Sequence, residues 1–358
     1  MGYSKIIITS DLLRVDNTTV MKLENPQKLN IDWLCELLGG ALHTVTGKKV
    51  SKLIGGSQSD LFSRLNVYRD LELLINADSW AKIYEGEYKY EVLEHHLDGL
   101  FEDALVFTIE APDYLIKYFI DRNVPYIDFS IHPVRYLNDY YLGVRTNVEE
   151  FRTRIDSYII PPHILKNATK LYKAKARRVY RTPLKPNSAV FFGQTEIDSS
   201  LIYGGRFVDL QDIENCLREL TQEFDWVYFK SHPHAKRNAV LKQLISTIPK
   251  CEWLETNAYM LLSRDEIELC AAFSSGILEE AKIFGKPTRR LIGKDSPFDL
   301  QGDAAKSTPE KFYRLITHDV FSESFWSYVL HSRGKPEVRL PYEFENILKT
   351  SLNVKWGV

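Results

Sequence analysis

The chain has 358 residues, of which 44% are hydrophobic and 26% are charged, a composition that is typical of globular proteins and excludes fibrous and extensively disordered chains. Its 46 basic and 48 acidic residues give a formal net charge of −2, which excludes a global positive field of the kind that binds nucleic acid. The length favours two domains over one.

The cysteines and the apolar segments bear on the compartment. Four cysteines are scattered along the chain without a C-x-x-C pair or a histidine at metal-ligand spacing, so we expect reduced thiols and no cysteine metal site. The N-terminus shows no signal peptide, and no apolar run approaches the ~20 residues that cross a bilayer. We therefore expect a cytoplasmic protein.

The first half of the chain predicts alternating strands and helices. Residues 5–9 indicate a buried strand and residues 31–42 an amphipathic helix. Further along, strand 104–109, helix 112–122 and strand 125–130 form a βαβ unit, in which a proline opens the helix.

The second half repeats this alternation. Its predicted elements are strand 189–192, helix 210–224, strand 226–230, helix 239–246, strand 267–273, helix 276–284 and strand 288–292. Strands that alternate with helices of this length indicate parallel sheets covered on both faces, so we predict an α/β protein with two doubly wound domains.

We predict the domain boundaries from these elements. They are an N-terminal domain over 1–165, a basic linker over 166–187, a C-terminal domain over 188–308 and a helical tail over 309–358 that packs across the cleft. The linker lies in a stretch, 157–195, that has eight basic and no acidic residues. One interpretation is a solvated helix with a basic face, and the other is an electrostatic contact of 166–185 with anionic lipid or a lipid-linked acceptor.

The end of strand 226–230 carries groups that suit a phosphate. Lys230, His232 and Pro233 lie there, where parallel sheets bind ligands, and they offer a positive charge and a hydrogen-bond donor. The alternative is a structural histidine.

A second anion-binding pattern follows strand 267–273. Ser274, Ser275 and Gly276 open a helix whose free N–H groups and hydroxyls suit a phosphate. Glu279, one turn later, suits a ribose diol, although a carboxylate in a first turn also favours the helix dipole. We expect Glu280 to face solvent.

These two patterns, together with Gly285-Lys286-Pro287, resemble the CMP-binding domain of GT-B glycosyltransferases that use CMP-activated keto sugars. Residues 192–204 and 126–137 are similar to the retaining β-Kdo transferases of bacterial capsule and O-antigen assembly. The resemblance covers about residues 104–292.

The resemblance implies a GT-B-like fold, with two Rossmann-like domains that face each other across a cleft. The nucleotide would bind to the C-terminal domain and a saccharide acceptor, lipid-linked in some systems, to the N-terminal one. It also implies CMP-β-Kdo as donor substrate, no cofactor, no catalytic metal and no nucleic acid, and the sequence has no Asp-x-Asp metal clamp. Peripheral contact with the inner membrane through 166–185 would fit such an acceptor.

The resemblance places the catalytic nucleophile in the Gln194-x-x-x-Asp198 stretch. A β-glycoside made from a β-linked donor retains configuration, which takes two displacements and a carboxylate under the anomeric carbon. Asp198 is the first candidate and Glu196 the second, while Gln194 is expected beside the donor. The alternative for Asp198 is a turn or cap residue.

An acceptor hydroxyl also needs a general base. His132, Asp128 and Glu110 each accompany an N-terminal strand expected to face the cleft. Glu110 has a helix-capping alternative. Arg135 suits a sugar carboxylate because its planar fork binds both oxygens, and its alternative is an ion pair with Asp139.

Three other functions stay open at this stage. The first is an inverting transferase for another CMP-nonulosonate, such as a sialic or pseudaminic acid. The second is a non-catalytic nucleotide-sugar-binding domain within a larger assembly. A UDP-sugar enzyme of the same fold is the third.

Overall fold

A computed structural model describes residues 2–16, 24–56, 62–179, 183–195, 198–233, 235, 238–293, 296–298 and 311–341.

The described residues form strands and helices that alternate along the chain. The strands are β1 (Lys5–Thr9), β2 (Lys49–Lys52), β3 (Ala104–Ile109), β4 (Tyr126–Ile131), β5 (Leu142–Thr146), β6 (Ser188–Phe192), β7 (Ile202–Tyr203), β8 (Arg206–Phe207), β9 (Trp226–Lys230), β10 (Cys251–Leu254), β11 (Ile267–Ala272), β12 (Thr288–Arg290) and β13 (Arg314–Leu315). The helices are α1 (Lys28–Thr46), α2 (Arg64–Asp70), α3 (Ala77–Glu85), α4 (Tyr90–Leu97), α5 (Asp113–Asp121), α6 (Glu149–Ile155), α7 (Pro162–Val179), α8 (Leu210–Glu223), α9 (Asn238–Ser246), α10 (Ala258–Leu262), α11 (Ile277–Ile283) and α12 (Glu323–His331).

The first domain is built on a six-stranded sheet with the order β13-β5-β4-β3-β1-β2. Strands β2, β1, β3 and β4 are parallel, as the sequence predicts. Strands β5 and β13 are antiparallel, which corrects the expectation of a fully parallel sheet. Residues 132–141 join β4 to β5 without a helix, and a connection of that kind suits antiparallel neighbours, whereas parallel neighbours need a crossover.

The second domain is built on a five-stranded parallel sheet with the order β10-β9-β6-β11-β12. Its central strand is buried on both faces: Ala189 and Phe191 enter one hydrophobic core, and Val190 and Phe192 enter the other. Strand β3 of the first domain divides in the same way between two cores. The predicted α/β class with doubly wound sheets is therefore confirmed.

Each sheet has one point where the strand order reverses. In the first sheet the chain runs from β1 to β2 on one side and resumes with β3 on the other side of β1. In the second it runs from β6 to β9 and β10, then resumes with β11 on the other side of β6. Ligands of such sheets bind outside the carboxyl ends of the strands at the reversal, so the loops after β1, β3, β6 and β11 are where a site is expected.

The C-terminal segment returns to the first domain. Strand β13 extends the first sheet at β5, and α12 packs against α1 and α6. The buried Trp326 of α12 contacts Phe107 of β3 edge to face, with 5.3 Å between ring centroids. The described part of the predicted tail, 311–341, thus contributes an edge strand and a core helix to this domain, and 342–358 lies outside the described residues.

The predicted basic linker is largely helical. Helix α7 packs against α10 and α11 of the second domain and buries Ile164, Leu165 and Ala168. Lys166 and Lys170 are exposed on its other side. The segment is therefore an amphipathic element of the second domain, because its apolar positions recur at helical spacing among the basic ones.

The two domains meet where the loop after β4 contacts the start of α11. A Cβ added at Gly276 would lie 2.6 Å from the Cβ of Pro133, so only glycine admits this contact. Glu280 is buried there, and its Oε1 accepts hydrogen bonds from the Arg135 N–H at 2.7 Å and from the Tyr259 hydroxyl at 3.2 Å. The expectation that Glu280 faces solvent is wrong, because this side of α11 is covered by the first domain.

Burial raises the pKa of Glu280 to about 8. Desolvation is the largest cause, and it outweighs the hydrogen bonds from Arg135, Tyr259 and Tyr136, which lower the pKa. The folded protein therefore holds a proton at the domain junction at neutral pH.

This proton predicts how stability depends on pH. The folded state binds more protons than the unfolded state between the ordinary pKa of a glutamate and about 8, so the contribution of Glu280 is complete at low pH and is lost as pH rises through 8. Glu280→Gln keeps a neutral acceptor and removes this dependence. We expect the free energy of unfolding of the unsubstituted protein to fall from pH 5 to 8, relative to the variant, by up to about 1.4 kcal/mol per pH unit.

Urea titrations at pH 5, 6, 7 and 8 measure this difference. Glu268→Gln, at an exposed position of β11, is the matched control and is expected to leave the slope unchanged. Equal slopes for Glu280→Gln and the unsubstituted protein would contradict the assignment.

Candidate functional site

The loops at the two strand-order reversals bring two carboxylates together. Glu110 follows β3 of the first domain, and Asp198 lies in the loop after β6 of the second. Desolvation raises the pKa of Glu110, and the next largest cause is the negative charge of Asp198. The two carboxylates therefore lie close enough to interact through their charges.

Glu110 is held in a strained backbone conformation. Its φ is 52°, in the left-handed region that non-glycine residues rarely adopt. Its N–H donates to the Phe129 carbonyl at 2.7 Å, and the Ser130 hydroxyl donates to its Oε1 at 3.0 Å. Such strain costs roughly 1–3 kcal/mol and persists where the surroundings impose it, most often at functional sites.

Asp128 anchors the peptide groups that follow Glu110. Its carboxylate is fully buried and accepts hydrogen bonds from the Ala111 N–H at 3.1 Å, from Arg145 Nε at 2.8 Å and from the Tyr313 hydroxyl at 2.6 Å. Arg145 also donates to the Ala111 carbonyl at 3.3 Å. The expectation that Asp128 faces the cleft is wrong, since its oxygens are occupied in the core, where they fix the chain beside Glu110.

His132 is buried as well. Its residue has no exposed area, its Nδ1 accepts a hydrogen bond from the Val134 N–H at 3.2 Å, and Phe298 contacts the ring edge to face at 5.0 Å. Burial lowers the pKa of His132 to about 3, so the ring is neutral. The expected exposure to the cleft is corrected here too, and of the three base candidates Glu110 alone reaches solvent.

Asp198 caps a short turn while leaving one oxygen available. Its Oδ1 accepts a hydrogen bond from the Ser200 N–H at 2.9 Å, at the start of the 3-10 turn Ser199–Leu201. Within the described residues, its Oδ2 has no hydrogen-bond partner. The cap alternative is therefore observed, and it is compatible with a catalytic role because the two roles use different oxygens. Glu196 lies outside the described residues.

The turn at Asp198 is docked on the first domain. Helix α3 contacts β7 and β8, and Phe207 of β8 packs against Trp80 of α3 at 6.0 Å between ring centroids. These contacts hold the carboxylate of one domain at a fixed place against the other.

Gln194 connects the loops after β6 and β11. Its Oε1 accepts a hydrogen bond from the Ser274 N–H at 3.0 Å, and its Nε2 donates at 3.2 Å to the hydroxyls of both Ser200 and Ser274. The Ser274 hydroxyl in turn donates to the Ser200 carbonyl. The polar groups of Gln194 and Ser274 thus form hydrogen bonds that fix the turn that carries Asp198.

The end of β9 offers a cation beside this loop. Lys230 is half-buried, its carbonyl accepts from the Gly193 N–H at 2.9 Å, and its ammonium has no carboxylate within ion-pair distance in the described part of the chain. His232 is half-buried and Pro233 is exposed at the same strand end. The structure keeps these three residues where the sequence predicts them.

The start of α11 differs from the prediction. Pro133 covers Gly276, and Ser275 lies half-buried with its hydroxyl accepting from the Ile277 N–H at 3.4 Å. Glu279 is buried and ion-paired with Lys282 at 3.0 Å. The expectation that Glu279 faces a ligand is corrected, because its carboxylate is enclosed with a cation.

Two arginines near these loops were not anticipated. Arg290, at the end of β12, donates to the Ser274 carbonyl at 2.9 Å and lies 3.8 Å from Glu279. Arg14, in the loop after β1, lies over the Trp80 ring at 5.0 Å. The available signal was their position: Arg14 lies in the loop after the buried strand β1, and Arg290 ends β12, the strand beside β11.

Arg135 is exposed and lies apart from the two carboxylates. Its guanidinium is 5.8 Å from the Tyr140 ring, and no ion pair joins it to Asp139 among the described residues. Its charge lowers the pKa of Glu280, which locates it at the α11 junction.

Neither a metal cluster nor a membrane-spanning helix is found among the described residues. No three His, Cys, Asp or Glu side chains converge there as metal ligands. In the same part of the chain, no helix is both long and apolar enough to cross a membrane.

The proximity of the two carboxylates predicts a titration effect. Asp198→Asn removes a negative charge beside Glu110, so the pKa of Glu110 is expected to fall. Carboxyl NMR of glutamate-labelled protein measures this pKa, with Glu110→Gln identifying the signal. Asp139→Asn, on an exposed loop, is the control and is expected to leave the titration unchanged. An identical titration in Asp198→Asn would show that the two groups do not interact.

The sequence matches no family model and no curated protein. Among solved structures, KpsC β-Kdo 2,7 transferase from Thermosulfurimonas dismutans shows 12% identity and a TM-score of 0.38 over 92% of this chain and 100% of that chain. KpsC β-Kdo 2,4 transferase from the same organism shows 12% identity and a TM-score of 0.38 over 80% and 79%. UDP-GlcNAc 2-epimerase from Neisseria meningitidis bound to UDP-GlcNAc shows 12% identity and a TM-score of 0.29 over 99% of both chains. We therefore base the proposed function on the contacts of this chain's own residues.

Proposed function

We propose that this chain is a glycosyltransferase that moves Kdo from CMP-β-Kdo to a saccharide acceptor of a bacterial surface polysaccharide, with retention of configuration. The observation that carries the proposal is the pair of carboxylates, Glu110 and Asp198, that interact through their charges. Each comes from a strand-order reversal of a different domain, and each has one oxygen fixed and one oxygen without a partner in the described residues. We infer the class of donor, a CMP-activated sugar, from the motifs that resemble CMP-sugar transferases.

The two carboxylates have different roles in this reaction. Asp198 attacks the anomeric carbon with its uncapped oxygen, and the bond to CMP breaks with its electron pair going to the phosphate oxygen. An acceptor hydroxyl then attacks the same carbon, gives its proton to Glu110 and releases Asp198. The raised pKa of Glu110 suits a base that works near neutral pH.

The donor phosphate is assigned to the second domain. Lys230 supplies a positive charge that has no carboxylate within ion-pair distance among the described residues, and His232 lies at the same strand end. Arg290 adds a further positive charge beside the Ser274 loop. These groups stabilise a leaving phosphate through charge and hydrogen bonds, and the proposal requires no metal.

The location proposed for this enzyme is the cytoplasm, with peripheral contact at the inner membrane. The exposed Lys166, Lys170 and Arg178 of α7 support this, since basic residues on one helix favour anionic lipid. A lipid-linked acceptor would be reached from the same surface.

An inverting transfer of another CMP-nonulosonate is the second candidate. It needs Glu110 alone as base, and the cap made by Asp198 Oδ1 is the observation that favours it. In that case Asp198 serves the turn and forms no covalent intermediate.

Intact-protein mass spectrometry separates the two reactions. With CMP-Kdo and no acceptor, we expect an adduct of one Kdo residue on the unsubstituted protein and none on Asp198→Asn. Glu110→Gln is the matched variant, because it leaves the nucleophile in place and slows the second step, so the adduct is expected to accumulate. Near-normal turnover by Asp198→Ala would exclude double displacement through this residue.

The donor class has its own test. Thermal shift with CMP, UDP and GDP is expected to show the largest stabilisation with CMP, and Lys230→Gln is expected to reduce it, since a charge-assisted bond to phosphate is worth roughly 1.5–3 kcal/mol. Lys242→Gln, an exposed position paired with Glu255, is the control. A preference for UDP would replace the proposed donor.

A further inference from the structure

Arg14 occupies the strand-order reversal of the first domain, beside Glu110. Strands β1 and β3 are in register up to Thr9 and Thr108, and the Ser10 hydroxyl extends this pairing by donating to the Ile109 carbonyl at 2.7 Å. The loops that carry Arg14 and Glu110 therefore leave the sheet side by side. In agreement, the charge of Arg14 lowers the pKa of Glu110.

The guanidinium of Arg14 rests on a rigid platform. Trp80 is buried, and its Nε1 donates to Asp11 Oδ2 at 2.8 Å. Asp11 is fixed in turn by the Tyr114 hydroxyl at 2.8 Å and by the Leu13 N–H at 2.9 Å. A cation stacked on a locked indole keeps its orientation and leaves the N–H groups of its edge available.

Among the described residues, these N–H groups have no acceptor. The three hydrogen bonds of Asp11 come from neutral donors, and the charge of Arg14 acts on it only through space, lowering its pKa. Arg14 makes no ion pair and no side-chain hydrogen bond within the described residues. Arg145, Arg206 and Arg289 each hold a carboxylate by comparison. A half-buried, stacked and unpaired arginine beside a strained glutamate is the arrangement of a binding group rather than of a structural one.

From this geometry we propose that Arg14 and Trp80 form a subsite for the carboxylate of the acidic sugar that reacts between Glu110 and Asp198. A guanidinium edge binds the two oxygens of a carboxylate together. In a keto sugar acid the carboxylate is attached to the anomeric carbon, so it lies within one bond of the reacting atom. Phe207, beside the Asp198 turn, also packs on Trp80, which joins the subsite to both carboxylates.

This subsite replaces the role predicted for Arg135. Arg135 lies at the α11 junction beside Tyr140, and no contact relates it to Glu110 or Asp198. It is therefore the natural control, since both residues are solvent-accessible arginines of the same domain.

The inference rests on the proposed function, and its test separates the two. Isothermal titration with CMP and with CMP-Kdo is made on the unsubstituted protein, Arg14→Gln, Arg14→Lys and Arg135→Gln. We expect Arg14→Gln to weaken CMP-Kdo binding roughly tenfold or more while CMP binding is unchanged, because a charge-assisted bond is lost. Arg14→Lys keeps the positive charge but lacks the planar guanidinium, so its affinity for CMP-Kdo is expected to lie between those of Arg14→Gln and the unsubstituted protein. Arg135→Gln is expected to bind CMP-Kdo as the unsubstituted protein does.

A second pair of probes, free Kdo and its methyl ester, shows whether the carboxylate is recognised when no turnover occurs. If the acid binds better than the ester and Arg14→Gln abolishes this preference, the subsite stands even where no covalent adduct forms and the proposed reaction fails. If Arg14→Gln leaves donor binding and adduct formation intact but raises KM for an acidic acceptor alone, the subsite serves the acceptor carboxylate. Binding of every probe by a folded Arg14→Gln variant with unchanged affinity would overturn the subsite.

Discussion

The contact between the loop after β4 and the start of α11 determines how the two domains face each other. Glycine at 276 lets Pro133 approach the helix, and the buried Glu280 receives the backbone N–H of Arg135 across the junction. A second contact, between α3 and the residues that follow Asp198, closes the other side. With both contacts made, the strand-order reversal of each sheet points toward the other. The position of every candidate functional group follows from this docking.

The same docking gives the two carboxylates, Glu110 and Asp198, different environments. Part of Glu110 reaches solvent, but the surrounding protein desolvates its carboxyl group, and this together with the charge of Asp198 raises its pKa. The buried Asp128 fixes the chain beside it in an unfavourable φ. Asp198 is bound through one oxygen to its own turn. Two groups of one chemical type thus have separate environments, which the proposed roles of base and nucleophile require. The cost of the strain at Glu110 is met by the hydrogen bonds of Asp128, Arg145 and Tyr313.

The strands and the strand ends could be predicted from the sequence, because fully apolar runs such as 104–109 and 189–192 leave few alternatives and parallel sheets bind ligands at one edge. The burial of individual polar side chains could not be predicted from the sequence. Asp128 reads as one of several carboxylates near a strand end, and its burial depends on Tyr313, which lies 185 residues away in sequence. The sequence predicts that Glu279 contacts a ligand and that Glu280 faces solvent, yet both are buried. Glu280 is covered by the loop of the other domain that carries Arg135, and Glu279 pairs with Lys282. The antiparallel pairing of β13 with β5 is also non-local, since the two strands are far apart in the sequence and no residue near β13 indicates the pairing.

Although the net charge is near zero, some cations of the chain form ion pairs with carboxylates and others do not. Arginines that have structural roles hold carboxylates, as Arg145 holds Asp128 and Arg289 holds Glu223. In the described residues around the reversals, Arg14 of the first domain and Lys230 of the second lack such partners. A CMP-activated keto sugar acid carries two separate negative groups, a phosphate and a carboxylate. Among the described residues, Arg14 lies at the reversal of the first sheet and Lys230 ends β9, the strand beside the reversal of the second. An unpaired cation in a cleft costs desolvation that a ligand of opposite charge returns on binding. The distribution of paired and unpaired cations therefore supports the proposed donor over a neutral-sugar nucleotide, which carries no carboxylate to bind the cation beside Glu110.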